Sequence, residues 1–571
     1  MNAVGDVCTQ NPDDKRVLKT KSIYIFLGII ALFTVVTIAL AAATLAVVIR
    51  RVKSSTNAEC NHGMLVCSIH IDHMMNHLKE LQKIADTSNN NRAIHTQGFN
   101  RTLDYITNYL TKNTNLKVQT QFFPFDSFTL NSDPTLRSYI NGEEVNLIYG
   151  LTQDFTFMQY SGSADFSDPV RLTSIPNVGC DESDWQAATP SPENSVVLVK
   201  RGICAFTDKS LLAAKYRVAG LLIYNDGATC DRNPPLAAPV HQDASFPALF
   251  LSFQAGTNLV NAAQDSTTNA GVRIYISTTK VPLPVGNICA HTVTGDATQT
   301  IVIGSHSDGV PAGPGINDNG SGSAMNLVLA TNLARLFQTS NYASYKYRVK
   351  FCWWGAEEVG LVGSEYHVEQ AKISTVEGER ISDYLVNLNY DMLGSPNFQL
   401  GIYDGNTADL SMTPPKAIPG SIRLTELFRD WFISENLPFN MSEFSGRSDY
   451  GPFLATGIVA SGLDAGADGT KTKDERDYYD QMLGQGKGGI AGAIHDPCYH
   501  QACDSLANIN PLAYEKLTQG AAYVLEYLGR HSDLRSYLYP QAQIRQLEKL
   551  SPYKSIPKYN AQREFFKKTD L

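Results

Sequence analysis

Several histidine and carboxylate residues of this 571-residue chain share one property, which is that each follows a strand-like apolar run. They are His306 and Asp308 after 300–305, Glu357 and Glu358 after 345–354, and Asp391 after 385–390. The carboxyl ends of neighbouring parallel strands meet at one edge of an α/β sheet, and ligands bind there. We therefore expect these side chains to lie close together.

Two further groups supply polar residues to the same edge. Asp318 lies in a glycine-rich segment, 315–322, that opens a helix, and Tyr499 and His500 lie in the late loop 495–504. Several carboxylates at one sheet edge repel one another unless cations neutralise them. Imidazole nitrogen and carboxylate oxygen are ligands that zinc prefers, and two Zn²⁺ ions would balance three carboxylates and a hydroxide.

The elements that must position these residues can be read from the hydrophobic pattern. Apolar strands at 300–305, 345–354, 385–390 and 457–462 alternate with helices, including one at 320–337, which predicts a mostly parallel α/β sheet with helices on both faces. Apolar spacings of three and four predict a helix over 71–84. The other elements expected upstream are a helix over 98–110, a strand over 116–123 and a strand–helix–strand unit within 195–227.

Composition excludes several classes of protein. The chain is 43% hydrophobic and 18% charged with a formal net charge of -9, which excludes a disordered, collagen-like or small disulfide-scaffold protein. No broad basic surface is expected, so nucleic acid is not predicted as a partner.

The segment 22–49 has no charged residue and is rich in Ile, Leu, Val and Ala. As a helix it would span about 42 Å, more than the roughly 30 Å hydrocarbon core of a bilayer. Arg50 and Arg51 follow without a small-residue cleavage site, which indicates an uncleaved signal anchor rather than a signal peptide. We expect a single-pass type II membrane protein with a short cytoplasmic tail.

Cysteines and glycosylation motifs indicate which side of the membrane the bulk of the chain occupies. Nine of the ten cysteines follow the apolar span, and Asn100 and Asn440 begin acceptor motifs. The catalytic part is expected outside the cell or in an endosomal, lysosomal or vacuolar lumen. Cys352, within an apolar run, is predicted to be a buried free thiol.

The motifs around these residues resemble peptidase family M28, the di-zinc aminopeptidases. The resemblance rests on His306-Ser-Asp, Gly-Ile-Asn-Asp318-Asn-Gly-Ser-Gly, Glu357-Glu358-Val-Gly-Leu-Val-Gly-Ser, Asn389-Tyr-Asp391-Met, Gly446-Arg447-Ser-Asp-Tyr-Gly-Pro-Phe453 and Tyr499-His500-Gln-Ala-Cys-Asp. It implies a zinc-exopeptidase-like fold, two Zn²⁺ per chain, and peptides with a free N-terminus as substrates.

The resemblance also implies a role for each residue. His306 and Asp391 would bind one zinc, Glu358 and His500 the other, and Asp318 would bridge them. Glu357 would be the general base that takes a proton from a metal-bridging water. The remaining roles are orientation of the imidazole of His306 by Asp308, and stabilisation of the oxyanion by Tyr499 and Arg447.

The segment 195–227 resembles a protease-associated domain, through Lys200-Arg-Gly-Ile-Cys204-Ala-Phe206 and Ala219-Gly220. The predicted domains are a tail at 1–21, the signal anchor at 22–49, a stalk at 50–69, a zinc peptidase domain at 70–140 and 285–532, the protease-associated insertion at 141–284, and a C-terminal tail at 533–571. The predicted disulfides are Cys498–Cys503, which would lock the segment that carries His500, Cys180–Cys204 within the insertion, and Cys60–Cys67.

Three alternatives to an aminopeptidase remain at this point. Glutamate carboxypeptidases resemble the same family and are also membrane-anchored, but they carry a further helical domain for which the residues after 530 are too few. A catalytically inactive, receptor-like binder would be expected to lose ligands or the base, whereas this chain keeps all of them. The same completeness disfavours a single-zinc glutaminyl cyclase.

Overall fold

The computed structural model describes residues 63–202, 204–228, 232–410 and 413–550. Within these residues, fifteen strands join into one mixed sheet, and helices pack against it. The fold is therefore a mixed α/β fold.

The N-terminal part of the described chain carries the predicted helix pair and a long strand. Its elements are α1 (Met64–Cys67), α2 (Ile71–Asp86), α3 (Gln97–Asn113), β1 (Lys117–Ile140) and β2 (Glu143–Leu147). Both predicted helices are confirmed, and Met74, Leu78 and Leu81 form the buried face of α2. The predicted strand over 116–123 is present but continues to Ile140.

The segment that resembles a protease-associated domain forms its own block of strands and helices. Its elements are β3 (Phe155–Phe157), β4 (Ala164–Asp165), β5 (Val170–Ser174), α4 (Glu182–Gln186), β6 (Val196–Lys200), α5 (Phe206–Lys215), β7 (Gly220–Tyr224), β8 (Ala248–Leu251) and α6 (Phe253–Gln264). Strands β5 to β8 are parallel neighbours, and β3 is antiparallel to β8. The predicted strand–helix–strand unit is confirmed as β6–α5–β7.

The remaining chain builds the part of the sheet that carries the candidate site. Its elements are β9 (Ala270–His291), β10 (Asp296–His306), the kinked segment Ile316–Ser321, α7 (Gly322–Leu336), β11 (Tyr347–Trp354), α8 (Val362–Ile373), β12 (Tyr384–Tyr390), β13 (Gly401–Asp404), α9 (Ile418–Ser434), β14 (Asn440–Glu443), α10 (Tyr450–Ala455), β15 (Val459–Asp464), α11 (Lys473–Leu483), α12 (Pro511–Arg530), α13 (Leu534–Leu538) and α14 (Gln541–Leu550). Helices α13 and α14 were not predicted in the C-terminal tail.

Four of these strands are parallel, in the order β15-β12-β10-β11. The prediction of a mostly parallel sheet is correct for this block, and β13 is also parallel to its neighbour β14. Strand β9 is antiparallel to both β1 and β11, and β13 is antiparallel to β15, so the whole sheet is mixed.

Helices cover both faces of the parallel block, as predicted. Every residue of β11 is buried. Phe351 and Trp353 join a core with residues of α7 and α12, whereas Cys352 and Trp354 join a second core with residues of α8 and α10. Successive residues of a strand face opposite sides of a sheet, so a strand covered on both sides reads as an uninterrupted apolar run.

Strands β1 and β9 form a two-stranded ribbon that joins the two blocks. They pair from Lys117 with His291 to Ile140 with Ala270. One end of β9 pairs with β5, and the other end pairs with β11. The protease-associated block is therefore attached to the central sheet through continuous strands.

Three disulfides are present among the described residues, and two of them are the predicted pairs Cys180–Cys204 and Cys498–Cys503. The third joins Cys289 of β9 to Cys352 of β11, so the prediction that Cys352 is a free thiol is wrong. The two cysteines are register partners in adjacent strands, which brings their Cα atoms within 4.1 Å. Cys67 is disulfide-bonded, and its predicted partner Cys60 lies outside the described residues.

None of the helices in the described part of the chain has the length and apolarity needed to span a bilayer. The predicted tail and signal anchor, 1–49, lie outside the described residues, as does most of the predicted stalk. The end of that stalk belongs to the folded body, because Leu65 and Val66 are buried and the Leu65 amide donates to Glu526 on α12. Of the glycosylation candidates, Asn100 is exposed and Asn440 is half-buried.

The disulfide between β9 and β11 is expected to stabilise the central sheet. It closes a loop of 63 residues, for which chain entropy corresponds to about 4 kcal/mol, against about 2 kcal/mol for the short Cys498–Cys503 loop. Replacement of Cys289 and Cys352 by Ala should therefore lower the melting temperature more than the same change at Cys498 and Cys503. Alkylation of Cys352 in unreduced, denatured protein would contradict the pairing.

Candidate metal centre

His306 is the last residue of β10 and is 1% exposed. Its Nδ1 lies 3.1 Å from the backbone carbonyl oxygen of Asp308. A carbonyl can only accept a hydrogen bond, so Nδ1 carries the proton and Nε2 is left as a ligand atom. The predicted orienting contact is thus made by Asp308, through its backbone.

Asp318 lies between the two histidines, at a kink in the segment that precedes α7, where its own backbone is not helical. Its Oδ1 is 3.3 Å from Nε2 of His306, and its Oδ2 is 3.2 Å from Nε2 of His500. Asp391 Oδ1 lies 3.3 Å from Nε2 of His306, and Glu358 Oε2 lies 3.0 Å from Nε2 of His500.

The structure thus gathers the five predicted ligands into two groups that share Asp318. Within each group, one ligand atom per residue lies within 4.8 Å of the others. The groups are His306, Asp318 and Asp391, and Asp318, Glu358 and His500.

The chemistry of these groups fits two divalent cations. His306 Nε2, Asp391 Oδ1 and Glu358 Oε1 are buried and have no hydrogen-bond partner among the described residues. Buried polar atoms of this kind are normally satisfied, and imidazole with carboxylate is a donor set that zinc prefers. The residues present therefore fit the zinc ions that the family resemblance implies.

The protonation of the two imidazoles leads to the same conclusion. Burial lowers the pKa of His500, but Glu358 and Asp318 outweigh burial and raise the pKa to about 10. Burial also lowers the pKa of His306, and Asp391 and Glu357 raise it well above its ordinary value. The carboxylates therefore favour a positive charge at the position between them and the imidazoles. Bound cations would supply that charge in place of protons on the histidines.

The carboxylate of Asp308 also forms hydrogen bonds with the turn after β11. It accepts hydrogen bonds from the backbone amides of Glu357 and Glu358, at 3.2 and 3.4 Å. Asp308 is completely buried. This one residue therefore fixes His306 on β10 and the two acidic residues after β11.

The loop with His500 is tied to the segment with Asp318. Asp504 accepts hydrogen bonds from the backbone amides of Asn317 and Asp318, at 2.8 and 3.0 Å. Asp496 accepts from the side-chain amide of Asn317 at 2.6 Å. The Cys498–Cys503 disulfide closes this loop around His500.

Asp391 is fixed from the neighbouring motif. The Ser448 hydroxyl donates to Asp391 Oδ2 at 2.7 Å and accepts from the Asn389 side-chain amide at 2.8 Å. The other oxygen, Oδ1, is left facing His306. Ser448 belongs to the same Gly446–Phe453 motif as Arg447.

One ligand and two residues near the ligands have left-handed backbone conformations that non-glycine residues rarely adopt. These are Ala356 (φ 61°), Met392 (φ 51°) and His500 itself (φ 56°). Such conformations cost about 1 kcal/mol or more each and persist where the surrounding structure holds them. The hydrogen bonds and the disulfide described above supply that support.

The three predicted catalytic residues lie around the same centre. Glu357 Oε2 is 3.8 Å from Nε2 of His306. The Tyr499 ring stacks on that of His500, with centroids 3.9 Å apart. Arg447 Nη1 lies 3.9 Å from Asp468 Oδ1. All three residues line one cavity of about 420 Å³, together with the ligands Asp318, Glu358, Asp391 and His500.

Arg92 is a supporting residue that the sequence analysis missed. It is fully buried and donates to the backbone carbonyls of Ser307 and Pro314, at 2.7 and 2.9 Å, and to that of Gly315. It thereby holds the chain between His306 and Asp318. Arg92 lies in the polar connection between α2 and α3, where no local pattern marks it.

Comparison with known proteins decides the family. Residues 287–525 match the model for Peptidase family M28. An aminopeptidase of Pseudomonas aeruginosa is 33% identical over 460 residues, which cover 79% of this chain and 79% of that protein. The chain belongs to peptidase family M28. It is accordingly an enzyme that hydrolyses peptide bonds.

Solved structures show the same fold as this M28 peptidase. An aminopeptidase from Aneurinibacillus sp. strain AM-1 has a TM-score of 0.58 at 22% identity, over 82% of this chain and 96% of that chain. A zinc aminopeptidase from Bacillus subtilis has a TM-score of 0.53 at 18% identity, over 82% and 98%. Residues 167–259 match the PA domain, so the resemblance of 195–227 to a protease-associated domain is confirmed.

Replacing Arg92 by Met should destabilise the protein, because the change leaves three backbone carbonyls without their donor. We expect a loss of about 3 kcal/mol in the free energy of unfolding, measured by chemical denaturation. Arg101→Met is the matched control, since Arg101 makes its hydrogen bonds at the surface of α3. Equal stability of the two variants would show that Arg92 does not support the site.

Proposed function

We propose that this M28 peptidase is a dinuclear zinc aminopeptidase. The observation that carries the proposal is the pair of imidazole–carboxylate groups that share Asp318. His306 and Asp391 would hold one ion, and Glu358 and His500 would hold the other. Asp318 would contribute one carboxylate oxygen to each ion. The description of the structural neighbour from Bacillus subtilis as a zinc aminopeptidase supports the choice of metal.

Bound zinc ions would polarise the scissile carbonyl group and stabilise the negative charge that develops on its oxygen. The proton transfers depend on protein residues. Burial raises the pKa of Glu357 well above its ordinary value, and Asp449 and Asp391 add to this effect. The Glu357 carboxylate can therefore take a proton from the attacking water and return it to the leaving amine.

Tyr499 and Arg447 are suited to bind the carbonyl oxygen of the substrate. Burial raises the pKa of Tyr499 well above its ordinary value, so its hydroxyl remains a hydrogen-bond donor. Burial lowers the pKa of Arg447, but Asp468 and Tyr499 raise it, so the guanidinium remains charged. Donors held in place before the reaction stabilise developing negative charge efficiently.

The charges around the cavity favour an aminopeptidase over a carboxypeptidase. A carboxypeptidase needs a cation for the C-terminal carboxylate of its substrate. Among the described lining residues, Arg447 pairs with Asp468 and is already assigned to the carbonyl oxygen, His495 pairs with Glu475, and His500 belongs to the metal groups. The many carboxylates of the cavity suit the ammonium group of a free N-terminus.

We also propose a type II membrane protein, with the peptidase outside the cell or in a lumen. The charge-free segment 22–49 supports this topology, and the disulfides fit an oxidising compartment. Protease added to sealed cells or vesicles from the expressing organism distinguishes the two sides. Digestion of the peptidase domain by protease that reaches only the cytoplasmic face of an intact membrane would contradict the topology.

The activity is tested with three copies of one peptide, which are unblocked, N-acetylated and C-terminally amidated. We expect stepwise loss of residues from the free N-terminus, no cleavage of the acetylated copy, unchanged cleavage of the amidated copy, and inhibition by a chelator. Products are identified by mass spectrometry. Loss from the carboxyl end would support a carboxypeptidase, and no cleavage by metal-loaded protein would support a receptor-like binder.

Glu357→Gln should lower kcat about 10²- to 10⁴-fold without loss of bound metal, because the base is removed and the ligands remain. The control is Glu369→Gln on α8, where the carboxylate pairs with Lys372 at the surface. Metal is counted by elemental analysis of the same samples. Near-normal kcat in the Glu357 variant would exclude Glu357 as the base.

A further inference from the structure

The cavity that contains the metal groups continues into a polar pocket. Gln399, Ser442, Glu443 and Asp464 line this part of the cavity. Asp464 ends β15, and its predecessor Leu463 is the register partner of the last residue of β12, which precedes the ligand Asp391. Asp464 and Asp391 therefore leave neighbouring parallel strands at the same edge, about 5 Å apart in strand spacing.

Asp464 is surrounded by neutral donors. Its carboxylate accepts hydrogen bonds from the Ser442 hydroxyl at 2.6 Å, from the Gln399 side-chain amide at 2.6 Å and from the Gly466 backbone amide at 2.9 Å. No Lys, Arg or His of the described residues lies within ion-pair distance of it. Burial raises the pKa of Asp464, and the hydrogen bonds from Ser442, Gln399 and Gly466 and the charge of His495 offset this only in part.

The rest of the pocket lacks a free cation as well. Glu443, at the exposed rim, forms no ion pair among the described residues, and the lining cations Arg447 and His495 are paired with Asp468 and Glu475. The two zinc ions would neutralise the ligands but not Asp464 or Glu443. The pocket thus keeps uncompensated negative charge beside the site of cleavage.

A second observation also points to a ligand. Tyr403 lines the same cavity and is only 9% exposed, yet its hydroxyl has no hydrogen-bond partner among the described residues. Because this hydroxyl belongs to a cavity-lining side chain and has no protein partner, it is available to form a hydrogen bond with a polar group of a bound molecule. Met392 and Tyr450 add apolar surface to the lining of the same cavity.

We propose that this pocket receives the side chain of the N-terminal substrate residue and selects lysine or arginine through Asp464. The apolar stem would lie along Met392 and the tyrosine rings, and the charged end would reach Asp464 and Tyr403. Glu443 would add attraction at the rim. This inference rests on the proposed aminopeptidase function.

The first test compares kcat/KM of the unaltered protein on peptides that differ only in their first residue. Lysine is compared with norleucine, which has the same apolar stem without the ammonium group. We expect lysine to be preferred about ten-fold or more, because a partly buried carboxylate that is bonded only to neutral donors is stabilised further by a charged partner. Equal or better cleavage of norleucine would overturn the assignment, whereas cleavage of neither peptide would overturn the proposed function itself.

The second test assigns the preference to Asp464. Asp464→Asn keeps the shape of the side chain and removes its charge, so the lysine-to-norleucine ratio should fall about ten-fold. Glu443→Gln should lower the ratio less, and Asp404→Asn, a control on β13 outside the cavity, should leave it unchanged. A purely structural defect would lower both rates and leave the ratio intact, and that result in the Asp464 variant would overturn the proposal.

Discussion

The repulsion between carboxylates at one sheet edge is the constraint on which the rest of this structure depends. Asp318, Glu357, Glu358 and Asp391 lie around two imidazoles in a largely buried cavity. Such a group is stable only when positive charge is present among the acids. Two cations that share Asp318 would supply the charge and occupy the unpartnered buried atoms.

The surrounding framework keeps these groups in place. Asp308 links the turns after two strands, Arg92 holds the segment between His306 and Asp318, and the loop of His500 is closed by a disulfide and hydrogen-bonded to Asn317 and Asp318. Each support comes from a different part of the chain. Metal sites depend on such outer contacts, which fix the direction of each ligand before the metal binds.

Much of the site could be predicted from the sequence, because its residues sit at the ends of apolar strands with strong local patterns. The ligand His306 ends β10, Asp391 follows β12 directly, and Glu358 lies in the turn after β11. Residues that act through distant contacts could not be predicted. Arg92 leaves no local pattern, and the bond between Cys289 and Cys352 depends on the pairing of β9 with β11, which no local pattern specifies.

The ribbon of β1 and β9 was missed for the same reason, since its two strands are separated by the whole protease-associated block. Polar residues and prolines within them weaken the alternation typical of strands. The proposed side-chain pocket around Asp464 likewise could not be predicted from the sequence. Asp464 is an ordinary strand-end residue in the sequence. Only the pairing of β12 with β15 shows that it lies next to the ligand Asp391.

The most direct test of the shared Asp318 is anomalous X-ray diffraction at the zinc edge from crystals of the metal-loaded protein. Our account predicts two peaks about 3.5–4 Å apart, one beside His306 and Asp391 and the other beside Glu358 and His500, with Asp318 between them. A single peak, or two peaks of which Asp318 contacts only one, would contradict it.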